Sequence, residues 1–413
     1  MKLALINPAN GKSYGGSPPL NLALIASYVR QKHEVVIIDM QSGDSYNKLL
    51  SFKPDWVGLT ATTLTINKAY EIAESLRGKF KVIIGGIHAS VMPDEAIKHA
   101  DIVVIGEGEK IIVDILDGKH SKGILNGEPI DDIDTIPLPA YDLLNMDFYL
   151  SNDIPKILKV PQETRTGNIL TSRGCPFNCT FCHNSFRGLK FRMNSPEKVI
   201  EEIKLLKEKY RIDNLFFIED NFFANLERVK KICELMIEND LVMPWGANSR
   251  VDNLDKEVLE LAKKSGCVQI TFGWESGSQR MLDIYNKRTK VEQNVESIKI
   301  CNEVGISPNG TVMVGGPTET IEDLRMTKDF ILNNDILGGI GVCITTAFPG
   351  TQLWVDYKIG EIDYDKFSFA EVPIKLCDID TNELIDISNR LKNISYLRQN
   401  QMLIKKELER LDF

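Results

Sequence analysis

The sequence predicts an α/β protein with a doubly wound parallel sheet first, a partial (β/α)6 barrel second and a short helical tail last. Three observations predict it. Short β-rich runs alternate with helical periodicity up to about residue 120. A proline-rich stretch then interrupts the rhythm, and a second alternating series of six units follows it.

In the first series, Lys2–Asn7, Glu34–Asp39, Trp56–Thr60, Lys81–Gly86 and Asp101–Gly106 read as strands. Leu20–Gln31 and Ile66–Arg77 carry apolar residues three or four apart and read as helices. A sheet of this kind binds ligands beyond the carboxyl ends of its strands. Those ends carry Asn7-Pro8, Thr60-Ala61-Thr62, Gly85-Gly86 and Gly106-Glu107-Gly108. Between Asp131 and Gly167, Pro137, Pro139, Pro155 and Pro161 break the periodicity. Tyr141, Leu143, Leu144, Phe148 and Tyr149 make this a packed linker. The expected division is 1–130, linker 131–167, barrel 168–354 and tail 355–413.

The second series has strands at Asn168–Thr171, Asn214–Glu219, Trp245–Ser249, Val268–Trp274, Gly310–Gly315 and Gly341–Ala347. Helical patterns cover Pro196–Tyr210, Leu226–Asn239, Lys256–Ser265, Val291–Val304 and Ile321–Asn333. Six units fall short of a closed eight-fold barrel, so the barrel is incomplete. Beyond Trp354 the chain is acid-rich and ends in a charged helical stretch, Glu383–Arg410.

Composition narrows the function classes. With 413 residues, 43% hydrophobic and 26% charged, the chain has ample core for two or three domains. Its net charge of -9 offers no broad basic field, which makes nucleic acid a poor partner. Asn7 and Pro8 come too early for a signal-peptide core. The longest apolar stretch, Ile336–Phe348, is too short to span a membrane and holds three glycines. A cytoplasmic location is expected, where the eight cysteines are thiols or metal ligands. None precedes Cys175, and then Cys175, Cys179 and Cys182 fall in one loop.

That loop reads Arg173-Gly-Cys175-Pro-Phe-Asn-Cys179-Thr-Phe-Cys182-His183 and follows the first barrel strand. Four readings compete. A zinc site usually adds a second Cys/His pair at a distance, whereas Cys233, Cys267, Cys301, Cys343 and Cys377 stand singly. Cys179-Thr-Phe-Cys182-His183 matches a c-type haem attachment, which needs export and leaves Cys175 unexplained. Three buried structural cysteines are the bland alternative. The fourth reading is an iron–sulfur cubane on three thiolates, which leaves one iron open.

Cys-x-x-x-Cys-x-x-Cys at this place resembles the radical S-adenosylmethionine superfamily, and the aromatic Phe181 fits its pattern. The resemblance implies a [4Fe–4S] cluster on Cys175, Cys179 and Cys182. Its open iron would be chelated by the methionine moiety of S-adenosylmethionine, which the cluster cleaves to a 5′-deoxyadenosyl radical. Other strand ends resemble that family's cofactor contacts. Glu219-Asp220-Asn221 would accept from the methionine ammonium, and Arg250 would meet the carboxylate. Glu275, in Gly273-Trp-Glu275-Ser-Gly277, would accept from the ribose hydroxyls, and Lys287 would contact the carboxylate. Gly315-Gly316-Pro317 would let the adenine approach the backbone.

The first domain resembles the cobalamin-binding domain that precedes such barrels in one subfamily. The residues that carry this are Asn7, Pro18-Pro19-Leu20, Thr62-Thr63-Leu64, Gly85-Gly86-Ile87-His88 and Gly106-Glu107-Gly108-Glu109. Thr62, Thr63 and Leu64 stand where the nucleotide tail is cradled, and Gly85-Gly86 would admit its phosphate. The loop Asn7–Pro19 lacks Asp-x-His-x-x-Gly, so no histidine of this chain is expected on cobalt. With no cysteine before Cys175 and only Cys377 after the barrel, one cluster is expected. The resemblance implies a methyltransferase acting on an unactivated carbon of a small molecule or peptide. It would be fed by an electron donor such as flavodoxin or ferredoxin. A radical cyclase or rearrangement enzyme uses the same parts, and a non-catalytic iron–sulfur sensor or corrinoid carrier is the alternative of another class.

Overall fold

The computed structural model describes residues 1–9, 16–151, 158–183, 190–357, 359–360 and 362–410, the last with backbone alone at 395, 396 and 398–410. Its first sheet holds β1 (Lys2–Asn7), β2 (Glu34–Asp39), β3 (Trp56–Thr60), β4 (Lys81–Gly85), β5 (Ile102–Gly106) and β6 (Gly123–Gly127). They run parallel in the order β2-β1-β3-β4-β5-β6. The order reverses at β1, so a crevice opens beyond the carboxyl ends of β1 and β3. Helices on both faces explain the buried run Leu3–Ile6, which a one-sided sheet would have alternated.

β6 is a strand that the sequence analysis lacks. Its five residues are bracketed by glycines, and its side chains are only half-buried or exposed. An edge strand of that kind carries no apolar run to detect.

The second sheet contains β7 (Thr166–Ile169), β10 (Asn214–Phe217), β11 (Trp245–Ser249), β12 (Cys267–Glu275), β13 (Ser307–Val314) and β14 (Ile340–Ile344). Between β7 and β10 lies a short antiparallel ribbon of β8 (Ser172–Arg173) and β9 (Arg192–Met193). The six long strands are parallel neighbours in chain order and form an open, curled half-barrel. β7 starts two residues before the expected Asn168. β14 ends at Ile344; Thr345 N–H still donates to Val314 O, and beyond it the Thr346 hydroxyl turns onto Ile344 O and Ser368 O.

Helices Pro196–Tyr210, Val291–Val304 and Ile321–Asn333 match their expected limits. Ser195 caps the first with Pro196 at its first position, and Thr320 and Asp323 cap the third reciprocally. The tail helix, Thr381–Arg410, packs on β14, and its Leu384 lies against Gly315. Tyr364 and Phe367 of the tail join the core of the first domain. Among the described residues no helix is long and apolar enough to cross a membrane.

The linker is packed. Tyr141, Leu144, Met146 and Leu150 enter a core shared by both sheets, and Tyr141 OH donates to Glu202 (2.6 Å). Burial raises the Glu202 carboxyl to about 7, against the pull of the Tyr141 hydrogen bond. The folded chain therefore keeps this proton to higher pH than the unfolded chain. Stability is expected to fall between about pH 5 and about pH 7 and then level off. Glu202→Gln should remove roughly 3 kcal/mol of that fall, measured by urea unfolding at both ends of the range. An unchanged pH dependence in the variant would refute the assignment.

Candidate active site between the two sheets

The cysteine loop leaves the ribbon at Gly174, whose φ of +83° suits a residue without Cβ. It is then tied to the barrel. Thr180 N–H donates to Tyr285 O (2.9 Å), Asn286 Nδ2 to Asn178 O (2.8 Å) and Leu353 N–H to Thr180 O (3.1 Å). Loss of solvation among neighbouring groups is the main cause that raises the Cys175 and Cys182 thiols, although the Cys182 side chain keeps an exposed face, with Asp220 and the neighbouring thiols adding to it. Cys182 is pushed up to about 12. The thiols therefore share one neighbourhood, although among the described residues no three ligand side chains converge on a single ion's position. A cubane takes each thiolate on a different iron, so this donor set fits it. A metal that binds such a thiol also removes its proton.

The strand ends of the barrel supply the surroundings. Arg250 lies 3.6 Å over the Phe177 ring, points Nη1 at Cys179 Sγ (3.7 Å) and holds Asp252 through Nε and Nη2 (2.9 and 2.8 Å). A register shift in β12 between Gly273 and Glu275 places Glu275 at φ +60°. Its carboxylate takes a hydrogen bond from Lys287 Nζ (2.6 Å), and both side chains are buried. Gly273 leaves room for this pair, since a Cβ there would push the ends of both side chains aside. Lys287 itself lies between Asn286 and Arg288, both at positive φ. Strain of this kind gathers where a site needs it. Phe181 meets Tyr285 edge-on at 5.4 Å.

Two of the expected contacts at these ends are already engaged within the chain. Glu219 is buried with its oxygens on Thr171 N (3.0 Å), Thr171 Oγ1 (2.7 Å) and the nearby Arg228. It is thus not free to accept an ammonium. Asp220 is exposed to the cavity and makes no hydrogen bond among the described residues. Enclosure raises its carboxyl. The side-chain directions of Gly315 and Gly316 are already filled, by Leu384 and by Tyr285 with Met281. These glycines serve internal packing on that side. Pro317 follows them, and Thr318 turns at φ +55°.

A cavity of about 510 Å³ lies where the two sheets meet. The first sheet contributes Thr60, Thr62, Gly85, Gly86, Gly106, Glu107 and Gly108, and the barrel contributes Leu170, Ser172, Arg173, Ile218 and Asp220. Gly86 has φ +93°, and a Cβ there would stand 2.8 Å from Thr60 Oγ1 and 2.9 Å from Ala61 O. Ser172 Oγ is buried with no hydrogen-bond partner among the described residues. A cavity with glycine floors, apolar walls and an unpaired hydroxyl fits a large ligand bearing amide groups.

Other predicted cobalamin residues lie outside its walls. Asn7 Nδ2 donates to Asp39 (2.9 Å), while Pro19, Leu20 and Leu64 are built into the packing of the first domain. Thr63 turns inward to His88 Nδ1 (3.1 Å). His88 is wholly buried, with Nε2 3.5 Å from Glu95 and its ring edge-on to Tyr364. Glu107 does line the cavity, but its carboxylate is taken up by Arg192, Arg173 and Ile130 N. Residues 10–15 of the loop Asn7–Pro19 lie outside the described residues.

The sequence reading passed over the partners. Arg192, Ser172 and Tyr285 carried no signal in spacing, because ribbon pairing and a helix terminus bring them in. Arg173 was visible only as the neighbour of Cys175.

Comparison with known proteins agrees with this arrangement. Residues 169–331 match the radical SAM superfamily model, and residues 6–116 match the B12 binding domain. An uncharacterized methyltransferase of Pyrococcus horikoshii is 35% identical over 96% of this chain and 91% of its own length. The anaerobic magnesium-protoporphyrin IX monomethyl ester cyclase of Rubrivivax gelatinosus is 27% identical over 94% of this chain and 76% of its own. Among solved structures, the cobalamin-dependent S-adenosylmethionine radical enzyme OxsB with aqua-cobalamin bound superposes with a TM-score of 0.68 at 19% identity. That match covers 80% of this chain, which spans about half (52%) of OxsB. The chain thus belongs to the radical S-adenosylmethionine superfamily, in its cobalamin-binding branch, and its cofactors are a [4Fe–4S] cluster, S-adenosylmethionine and cobalamin.

Proposed function

We propose that this chain is a cobalamin-dependent radical methyltransferase acting on an unactivated carbon of a small-molecule or peptide substrate. One observation carries the reading: a single cavity is lined by the carboxyl ends of both sheets, and its wall includes Ser172–Gly174, the residues that immediately precede Cys175 in the chain. A corrinoid and a cluster would then work side by side. Bound together, these groups supply a methyl donor and a carbon-centred radical.

Cys175, Cys179 and Cys182 would hold the cluster. Glu275 and Lys287 would orient the nucleoside and the methionine end of S-adenosylmethionine, with Arg250 fixed beside Cys179. Asp220 is the free carboxylate for the methionine ammonium. Thr62, Gly85, Gly86, Gly106 and Gly108 would seat the corrinoid, with Ser172 donating to one of its amides. The methyltransferase relative of Pyrococcus horikoshii supports methyl transfer. The cyclase relative keeps a second reading, a radical cyclisation without methyl transfer. Turnover with S-adenosylmethionine labelled in its methyl group separates them. Label in the product supports methylation, and an unchanged carbon count supports cyclisation.

The lower cobalt face should carry no histidine from this chain. His88 is closed off by Thr63, Glu95 and Tyr364, and among the described residues no histidine lines the cavity. Electron paramagnetic resonance of the cob(II)alamin form should be the same in wild type and His88→Ala. Nitrogen splitting that vanishes in the variant would overturn this.

A further inference from the structure

The cluster loop starts and ends in the ribbon of β8 and β9, where Arg173 stands directly opposite Arg192. Like charges facing each other across a ribbon destabilise it, the more so when buried. Here the compensation comes from the other domain. Glu107 binds Arg173 Nη1 (3.1 Å) and also Arg192, whose Nη1 reaches its Oε2 (3.1 Å). Glu109 takes Arg173 Nη2 (2.6 Å). Arg192 Nη1 donates further to Ile130 O (2.7 Å), while Ile130 N–H donates to Glu107 (3.1 Å). All four charged side chains are buried or nearly so. Burial works against the Arg173 charge, and the two carboxylates outweigh it.

Both carboxylates belong to the Gly106-Glu107-Gly108-Glu109 turn at the end of β5, which lines the cavity together with Arg173. The same few residues are therefore cavity wall, domain interface and base of the cluster loop. Resting on the reading above, we infer that Glu107 and Glu109 are positioning residues. They clamp the two arginines at the base of the cluster loop, and so couple occupancy of the corrinoid cavity to occupancy of the cluster site. Neither carboxylate need touch the reacting atoms. Each acts through the arginine it holds.

Coupling of this kind is reciprocal and is read as a ratio of affinities. The experiment is anaerobic titration of the full chain with hydroxocobalamin, followed by tryptophan fluorescence, for cluster-loaded and cluster-free protein. Wild type should bind it about fivefold or more tightly when the cluster is present. In Glu107→Gln/Glu109→Gln that ratio should fall to about one, with hydroxocobalamin still bound. Glu107→Gln leaves two buried guanidinium groups facing each other and threatens folding. Glu109→Gln alone keeps Glu107 between them, and should lower the ratio while retaining the fold. A lysine reaches two carboxylates less well than an arginine fork, so Arg173→Lys should also lower it. A clamp that only adds stability would weaken both forms alike and leave the ratio unchanged. Such a result, or a wild-type ratio of one, overturns the inference alone. No binding of hydroxocobalamin by either form overturns the proposed function as well.

Discussion

Cys182→Ala should lose the cluster absorbance and all 5′-deoxyadenosine formation, and so should Cys175→Ala and Cys179→Ala. The three thiols lie near one another, with Asp220 beside Cys175 and Cys182, in a loop held to the barrel by Thr180 and Asn178. Four of the other cysteines lie away from this loop. Cys233, Cys267 and Cys301 are buried among outer helices and strand starts, and Cys377 lies in the tail. Alanine at Cys233, Cys267, Cys301 or Cys377 should leave iron content unchanged, apart from modest losses of stability where a buried thiol is removed. The measurement is iron per chain with 5′-deoxyadenosine after reduction in the presence of S-adenosylmethionine. A full cluster and turnover in Cys182→Ala would sink the assignment.

The second large effect concerns Glu275 and Lys287. Lys287→Ala leaves the buried Glu275 carboxylate without its cation, which should cost about 3–5 kcal/mol of stability. Affinity for S-adenosylmethionine should fall by about ten- to a hundredfold, because both proposed contacts are disturbed at once. Folding and binding must be separated. Glu275→Gln/Lys287→Met removes both charges at nearly constant volume, and should recover most of the stability. It should not recover binding. Equilibrium unfolding and a titration with S-adenosylmethionine on the cluster-loaded variants check this. If the double variant regains wild-type affinity, the pair is a structural ion pair and its proposed role fails.

Much of the fold was legible because its signals are local. β1, β2 and β3 keep the limits their β-rich runs suggest, and capped helices such as Pro196–Tyr210 begin where Ser195 and Pro196 say they should. β6 was not legible, since an edge strand between two glycines has no apolar pattern. At the site, glycine positions were visible but their reasons were not. Gly273 makes room for an ion pair formed with a residue on a later loop, and Gly316 makes room for Tyr285. Carboxylates misled for a related cause. Glu219 and Glu107 sit at strand ends like free ligands, yet Arg228, Arg173 and Arg192 reach them only through tertiary packing. Sequence spacing carries the positions of charges, and the fold decides which remain unpaired. Asp220 remains so among the described residues, and Glu219 beside it does not.

One chain should hold a corrinoid and a radical-generating cluster at a shared cavity. The most direct test of this is the metal content of anaerobically reconstituted protein after incubation with hydroxocobalamin and removal of excess. The spectrum is recorded before and after S-adenosylmethionine and reductant are added. Four irons and one cobalt per chain are expected, with 5′-deoxyadenosine formed on reduction. Iron without retained cobalt, or both metals without 5′-deoxyadenosine, would contradict it.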